Sequence, residues 1–448
     1  MSFRGKIRVQ SLAAVIVTLS LSLLCSAQTQ QPRKKKPIKD FGSSLKRLKT
    51  APQKAEPVEA APTPKTQTEE VDEDDVIRTD TTLVSAELLV IDSRGNHVPG
   101  LKAEDFVITD NGEPQTVGHF EKGDNVNIPR TIVLVIDYSG SQVLYLKNSV
   151  AAAKVLVDKL GPKDLMAIVT DDVELLVDFT SDKEKLKNKL DSLLKKTKID
   201  EGFLSKRQLG TSAQYSALMA TLNEAFDHED LRPIIIFQTD GDEAVLLRDP
   251  VVSHTIPADL QGEQLERAQK QLEELKKHIQ KNVRDFSLED VYRTAERSRA
   301  TVYTVLPGPK LVGLTPQQQW EKMETDEQMQ IAHMIASVPE QSREMLMYQL
   351  ARNPSLWRRN NAELNAKLQE ALTGLAPLTG GWTEFLEEPE QADKIYARIF
   401  SDINQRYIVG FYPTTTVRDG KRRKIEFQVK GHPEYQILGR RSYFAPSR

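Results

Sequence analysis

The sequence predicts a doubly wound α/β domain with a mostly parallel sheet, inserted between two halves of a small β-sandwich and carrying helical insertions. Three observations predict this. Between Thr131 and Gly308, short continuous apolar runs such as TIVLVID and PIIIFQT alternate with helical stretches, as expected of strands covered by helices on both faces. On either side, LVSAELLVID and RRKIEFQVKG alternate apolar with polar residues between turn signals, as antiparallel strands do. Finally, oxygen-bearing side chains stand at the ends of the apolar runs, where a doubly wound sheet places its ligand site.

The chain has 448 residues, room for several domains and a sizeable core. A net charge of -3 argues against a nucleic-acid coat or a basic membrane-surface protein. Residues 1–27 read as a secretory signal peptide: Arg4, Lys6 and Arg8 precede an apolar run from Leu12 to Leu24, and Cys25-Ser26-Ala27 has the small-x-small form of a cleavage site. The apolar run is shorter than the roughly 20 residues of a membrane span. Cys25 follows Leu24, whereas a lipidated cysteine follows a small residue. The expected product is exported, periplasmic or secreted, with no transmembrane span after cleavage. Cys25 is the only cysteine, so cleavage after Ala27 leaves none, and disulfides, thiol catalysis and cysteine-ligated zinc drop out.

Residues 28–78 are rich in Pro, Lys and Glu, with a basic run at 33–36 and an acidic one at 69–75; too few apolar groups offset the entropy of ordering, and a disordered linker is expected. Residues 79–125 form the first part of the sandwich, punctuated by Arg94-Gly95-Asn96, Pro99-Gly100 and Asp110-Asn111-Gly112. The α/β domain spans 128–405. Its strands are expected at TIVLVID, DLMAIVT, VELLVDFT, PIIIFQT and TVYTVLPG, with helices near Leu144–Leu160, Lys183–Lys196 and Leu288–Arg299. Two helical insertions interrupt the rhythm. One, at about 255–286, carries Leu265, Leu272, Leu275 and Ile279 on one face; the other, at about 311–372, holds Met323, Met329, Met334, Met345 and Met347, read as packing rather than as a partner groove. Residues 406–448 supply the strands that complete the sandwich.

Three polar clusters fall at strand or helix edges. Asp137, Ser139 and Ser141 follow the first apolar strand, Thr211 lies in LGTSAQ just before a helix, and Asp240 follows PIIIFQT. All five offer oxygen and none offers nitrogen or sulfur. That donor set suits a hard divalent cation, Mg²⁺ first, with Mn²⁺ or Ca²⁺ also served, and not zinc. Two carboxylates neutralise a dication without surplus, leaving it an appetite for an external anion. The alternative is that Ser139 and Ser141 cap the next helix while Asp137 satisfies loop amides.

VLVIDYSGS, LGTSAQYSAL and IIIFQTDGDE resemble the metal-ion-dependent adhesion site of von Willebrand factor type A (VWFA) domains. The flanks LKAEDFVITDNGEPQTVGHF, INQRYIVGFYP, RKIEFQV and RRSYFAP resemble exported bacterial VWFA-related proteins of the acidobacterial type. The resemblance spans about Thr81 to Pro446, apart from the helical insertions. It implies Ser139 and Ser141 as direct metal ligands and Thr211 as a ligand of the partner-engaged state. Asp137 and Asp240 then act directly or through water.

The resulting expectation is a non-enzymatic adhesion or scaffold protein, whose metal accepts an acidic residue from a protein partner; no catalytic residues and no nucleic-acid partner are expected. One alternative is a metal-assisted hydrolase of phosphate esters. Against it, position 139 is Ser where an aspartyl phosphatase has its second Asp, and none of the seven histidines lies in the three clusters. Neither His-Glu-x-x-His nor Gly-x-Ser-x-Gly occurs. A second alternative makes the metal structural and assigns partner binding to the Met-rich insertion.

Overall fold

The computed structural model describes residues 35–50, 83–125, 128–196, 212–227, 230–250, 256, 260–337, 340, 343 and 356–446. The expected signal peptide, most of the expected linker, Thr211, Met345 and Met347 lie outside them. Among the described residues no helix is long and apolar enough to cross a membrane.

Six strands form the central sheet: β5 (Arg130–Ile136), β6 (Leu165–Thr170), β7 (Leu175–Thr180), β8 (Arg232–Gln238), β9 (Thr301–Pro307) and β10 (Thr383–Leu386). Their order is β10-β9-β8-β5-β6-β7, parallel throughout except for β7, which returns antiparallel to β6 at one edge. Every residue of β5, β6, β8 and β9 is buried. Their continuous apolar runs follow, because both faces are covered. Ile132, Leu134 and Ile136 of β5 meet one layer of helices: α2 (Val143–Asp158), α3 (Lys183–Lys196) and α9 (Ala392–Gln405). Val133 and Val135 point the other way, toward α4 (Gln214–Glu224), α6 (Leu288–Arg297) and α8 (Leu356–Leu378).

Two antiparallel sheets lie outside this unit. One has the order β13-β1-β11-β4, from Gln436–Leu438, Val84–Ile91, Tyr407–Phe411 and Val117–Lys122; the other is β14-β12-β2-β3, from Ser442–Phe444, Arg422–Val429, Phe106–Asp110 and Glu113–Gln115. Strands from before and after the α/β unit pair directly, Val84 opposite Phe411 and Ile425 opposite Asp110. Leu88, Val90, Phe106, Ile108, Val409, Phe411 and Ile425, drawn from both sheets, bury one shared apolar cluster.

Two expectations are corrected. Residues 35–50, assigned to the disordered linker, carry the helix α1 (Ser43–Thr50) and lie on the α/β unit. Ile38, Phe41, Leu45 and Leu48 pack against the α4-side core, and Glu224 accepts the amides of Gly42 (2.8 Å) and Ser44 (2.7 Å). Four apolar groups and a capped helix start overcome the polar composition. The Met-bearing insertion also ends sooner than expected. Met323, Met329 and Met334 lie on α7 (Pro316–Ser337), but Leu368, Leu372 and Leu375 of α8 belong to the main core. The reason is topological, since parallel β9 and β10 need a crossover helix and α8 is that helix. The first insertion holds the long helix α5 (Glu263–Asn282), from which Ile279 reaches the core.

Candidate metal centre

Numbered along the sheet, β5 to β10 have the order 3-2-1-4-5-6, which reverses direction between β5 and β8. Ligand sites of such sheets lie at that switch point, beyond the carboxyl ends of the strands. Asp137 directly follows β5, and Asp240 stands two residues beyond β8. The β5–β8 register carries Ile136 opposite Gln238, so both chains leave the core side by side. The Asp137 amide then donates to the Gln238 carbonyl at 3.0 Å.

The turn after β5 brings the two serines to the same place. The Asp137 carboxylate accepts the Ser139 amide (2.9 Å), folding the loop back, and a short 3₁₀ turn at Gly140–Gln142 leads into α2. Ser139 Oγ and Ser141 Oγ are 3.0 Å apart, and Ser141 Oγ donates to Asp240 Oδ2 at 2.6 Å. Asp137 is buried, Ser139 and Asp240 are half-buried and Ser141 is exposed, so the cluster opens to solvent on the serine side. Four of the five expected residues therefore meet, and Thr211 lies outside the described residues. Capping does not account for the serines, because Gln142 is the N-cap of α2 and no side chain caps it.

Three participants were not singled out from the sequence. Gln214, the first residue of α4, is buried and donates Nε2 to Asp137 Oδ2 (2.6 Å) and Asp240 Oδ1 (2.9 Å). Its Oε1 accepts the Gly241 amide (2.9 Å) and the Thr239 hydroxyl, so all four bonding positions of the amide are filled. Gln142, also buried, donates Nε2 to Asp240 Oδ2 at 2.9 Å and lies 3.4 Å from Ser141 Oγ. Asp171, just past β6, accepts the Tyr138 amide (3.2 Å) and the Ser212 hydroxyl (2.8 Å). The signal for Asp171 was available, since it follows an apolar strand as Asp137 does.

The electrostatics favour a cation. Burial, followed by the charges of Asp171 and Asp240, holds the Asp137 carboxyl well above the ordinary carboxylate range. Asp242 is raised to about 7 by desolvation and then by the charges of Asp240 and Glu243. Among the described residues no three Asp, Glu, His or Cys side chains are grouped so as to hold a metal ion by themselves. One buried polar atom at the cluster has no hydrogen-bond partner, the Oε1 of Gln142. Leaving such an atom unpaired costs about 1–3 kcal/mol. Two carboxylates, two hydroxyls and an unpaired amide oxygen suit a hard dication, and the donor set fits one.

Two of the described helices lie near this cluster, and Ser141 itself is exposed. The α8 side chain Leu372 lies against Gly241, next to Asp240. Lys322 of α7 pairs with Glu387 (2.8 Å), whose carbonyl accepts the Tyr145 hydroxyl of α2 at 3.3 Å.

No family model matches the chain, and no curated protein matches it. Among solved structures, the vWF domain of the type V pili tip protein Mfa5 from Porphyromonas gingivalis is 14% identical, over 62% of this chain and 95% of that one, with a TM-score of 0.30. The manganese-loaded TRAP protein of Plasmodium vivax is 13% identical over 76% of this chain and 100% of that one, with a TM-score of 0.26. BatB from Bacteroides thetaiotaomicron is 16% identical over 40% of this chain and 67% of that one, with a TM-score of 0.26.

Proposed function

We propose that the protein is an exported adhesion or scaffold protein, without catalytic residues, that holds a divalent cation, Mg²⁺ first, at the switch point and docks an acidic residue of a protein partner on it. The observation that carries this reading is the convergence of Asp137, Ser139, Ser141 and Asp240, with the serine side open to solvent. A buried carboxylate (Asp137) and a half-buried one (Asp240), with neutral hydroxyls on the outer side, leave a bound dication short of negative charge toward solvent. A carboxylate from outside completes it. Thr211, three residues before α4 in the sequence, is the further ligand in this reading.

Residues 1–27 direct export, the α/β unit of 128–405 presents the site, and 79–125 with 406–448 form a β-sandwich that serves as its base. The test is retention of the full chain on immobilised envelope proteins with Mg²⁺ and with chelator. Retention that requires Mg²⁺, and is lost in Ser139→Ala and Thr211→Ala while melting temperatures in chelator stay alike, is expected. Retention indifferent to chelator and to both substitutions sinks the reading.

A further inference from the structure

The two buried amides at the cluster differ in one respect. Gln214 has both ends engaged, Nε2 on the two carboxylates and Oε1 on Thr239 and Gly241. Turning it over sets its N–H groups against the Gly241 amide, so it is fixed as a brace between Asp137 and Asp240. Gln142 is engaged at one end only. Its Nε2 sits between Asp240 Oδ2 and Ser141 Oγ, while its Oε1 is buried without a partner, in a residue that is 2% exposed. Nothing bonded to Oε1 opposes rotation about the Cγ–Cδ bond that carries the amide, a torsion with two broad wells.

A half-turn exchanges the two atoms of the Gln142 amide. Its oxygen then stands where Nε2 stands now, 2.9 Å from Asp240 Oδ2 and 3.4 Å from Ser141 Oγ. The Ser139–Ser141 and Ser141–Asp240 oxygens are separated by 3.0 and 2.6 Å. Adjacent oxygens on an octahedral ion with bonds near 2.1 Å are about 3 Å apart. Oxygen in that place repels the Asp240 carboxylate unless a cation lies between them, so the turn accompanies binding.

We propose that the side-chain oxygen of Gln142 is a further ligand of the cation, brought in by this turn of its amide. In the metal-free protein the N–H end holds Asp240; in the loaded protein the oxygen end joins the ligand shell. The inference rests on the reading of the cluster as a cation site.

The test is calorimetric titration of Mg²⁺ into the chelator-stripped full chain, alongside melting temperatures in chelator. Gln142→Leu, which keeps the bulk and removes the oxygen, is expected to weaken Mg²⁺ binding by about tenfold or more without lowering the metal-free melting temperature. Gln142→Glu, which keeps an oxygen, is expected to bind at least as tightly as the parent. Unchanged affinity in Gln142→Leu, with binding lost in Ser139→Ala, overturns the role of Gln142 and leaves the cation site standing. If Gln142→Leu fails to fold, weakened binding in Gln142→Glu overturns it instead. A parent chain that takes up no Mg²⁺ removes both readings.

Discussion

Arg232 at the start of β8 donates Nε and Nη2 to the two oxygens of Glu87 on β1, each at 3.1 Å, and so joins the α/β unit to an antiparallel sheet through a two-pronged ion pair. The guanidinium is 1% exposed and also donates to the carbonyls of Gly123 (2.7 Å) and Ile403 (2.6 Å). Beside it, buried Arg406 pairs with Asp402 (2.9 Å) and donates to the Gly380 carbonyl at 2.7 Å. Breaking a buried pair from one side leaves an unmatched charge and costs about 3–5 kcal/mol. Arg232→Ala is therefore expected to lose that much in urea unfolding. The double variant Arg232→Met, Glu87→Leu is expected to recover most of it, since no charge is then left alone. A double variant no better than the single one would mean that the carbonyl bonds, not the charge, carry the junction.

The segment 35–50 is expected to contribute stability that the polar stretch before it does not. A chain beginning at residue 35 keeps Lys35 on Asp230 and the apolar contacts of Phe41, Leu45 and Leu48, whereas one beginning at 51 loses them all. Burial raises the Asp230 carboxyl, but bonds from Lys35, Thr131 and the Asp227 backbone outweigh it and hold the folded value below the ordinary 3.8. A carboxyl lowered on folding stabilises above pH about 4 and loses that contribution as pH falls through its folded value. Comparing the two chains by urea midpoint from pH 7 to 2, the gap between them is expected to narrow below pH about 4. A gap constant with pH would assign the segment's contribution to apolar burial alone.

The parts of this molecule legible in the sequence are those where one residue's neighbours along the chain are also its neighbours in space. TIVLVID announces a strand buried on both faces, and Asp137 announces its polar end. Ser139 and Ser141 sit within the same loop, so their convergence needed no topology. Gln214 is different, because an amide carries no mark of its role until the fold sets it against a carboxylate 77 residues away. Residues 35–50 failed for another reason: Ile38, Phe41, Leu45 and Leu48 have helical spacing, but lysines around them gave the stretch a linker's composition. The antiparallel turn of β7 was equally hidden, since strand direction at an edge is set by the short turn at 171–174 and not by hydrophobicity.

Gly241 ties the crossover helix α8 to the cluster. Its φ of +79° falls in the left-handed region, and an added Cβ would lie 2.7 Å from Leu372 Cδ1. Gly241→Ala is expected to cost about 1–3 kcal/mol through that strain. Its amide also anchors Gln214, so the brace between Asp137 and Asp240 loosens and Mg²⁺ affinity is expected to fall with stability. Calorimetry on the variant decides. Loss of stability with Mg²⁺ binding unchanged would separate α8 from the site.

Asp137 is expected to destabilise the protein without metal and to stabilise it with metal. Its carboxylate is buried beside Asp171 and Asp240, and its bonds from the Ser139 amide and Gln214 are ones an asparagine carbonyl oxygen also accepts in part. In chelator, Asp137→Asn removes a buried like charge and is expected to gain about 1 kcal/mol, in line with substitutions that relieve a strained site. With Mg²⁺ at a hundred times its dissociation constant, the parent gains about 2.7 kcal/mol and the variant gains little. The two unfolding midpoints should therefore exchange order between chelator and Mg²⁺. If the variant were instead the less stable chain in chelator, Asp137 would be acting chiefly as an acceptor for the loop amide, and the serines beside it would need another explanation.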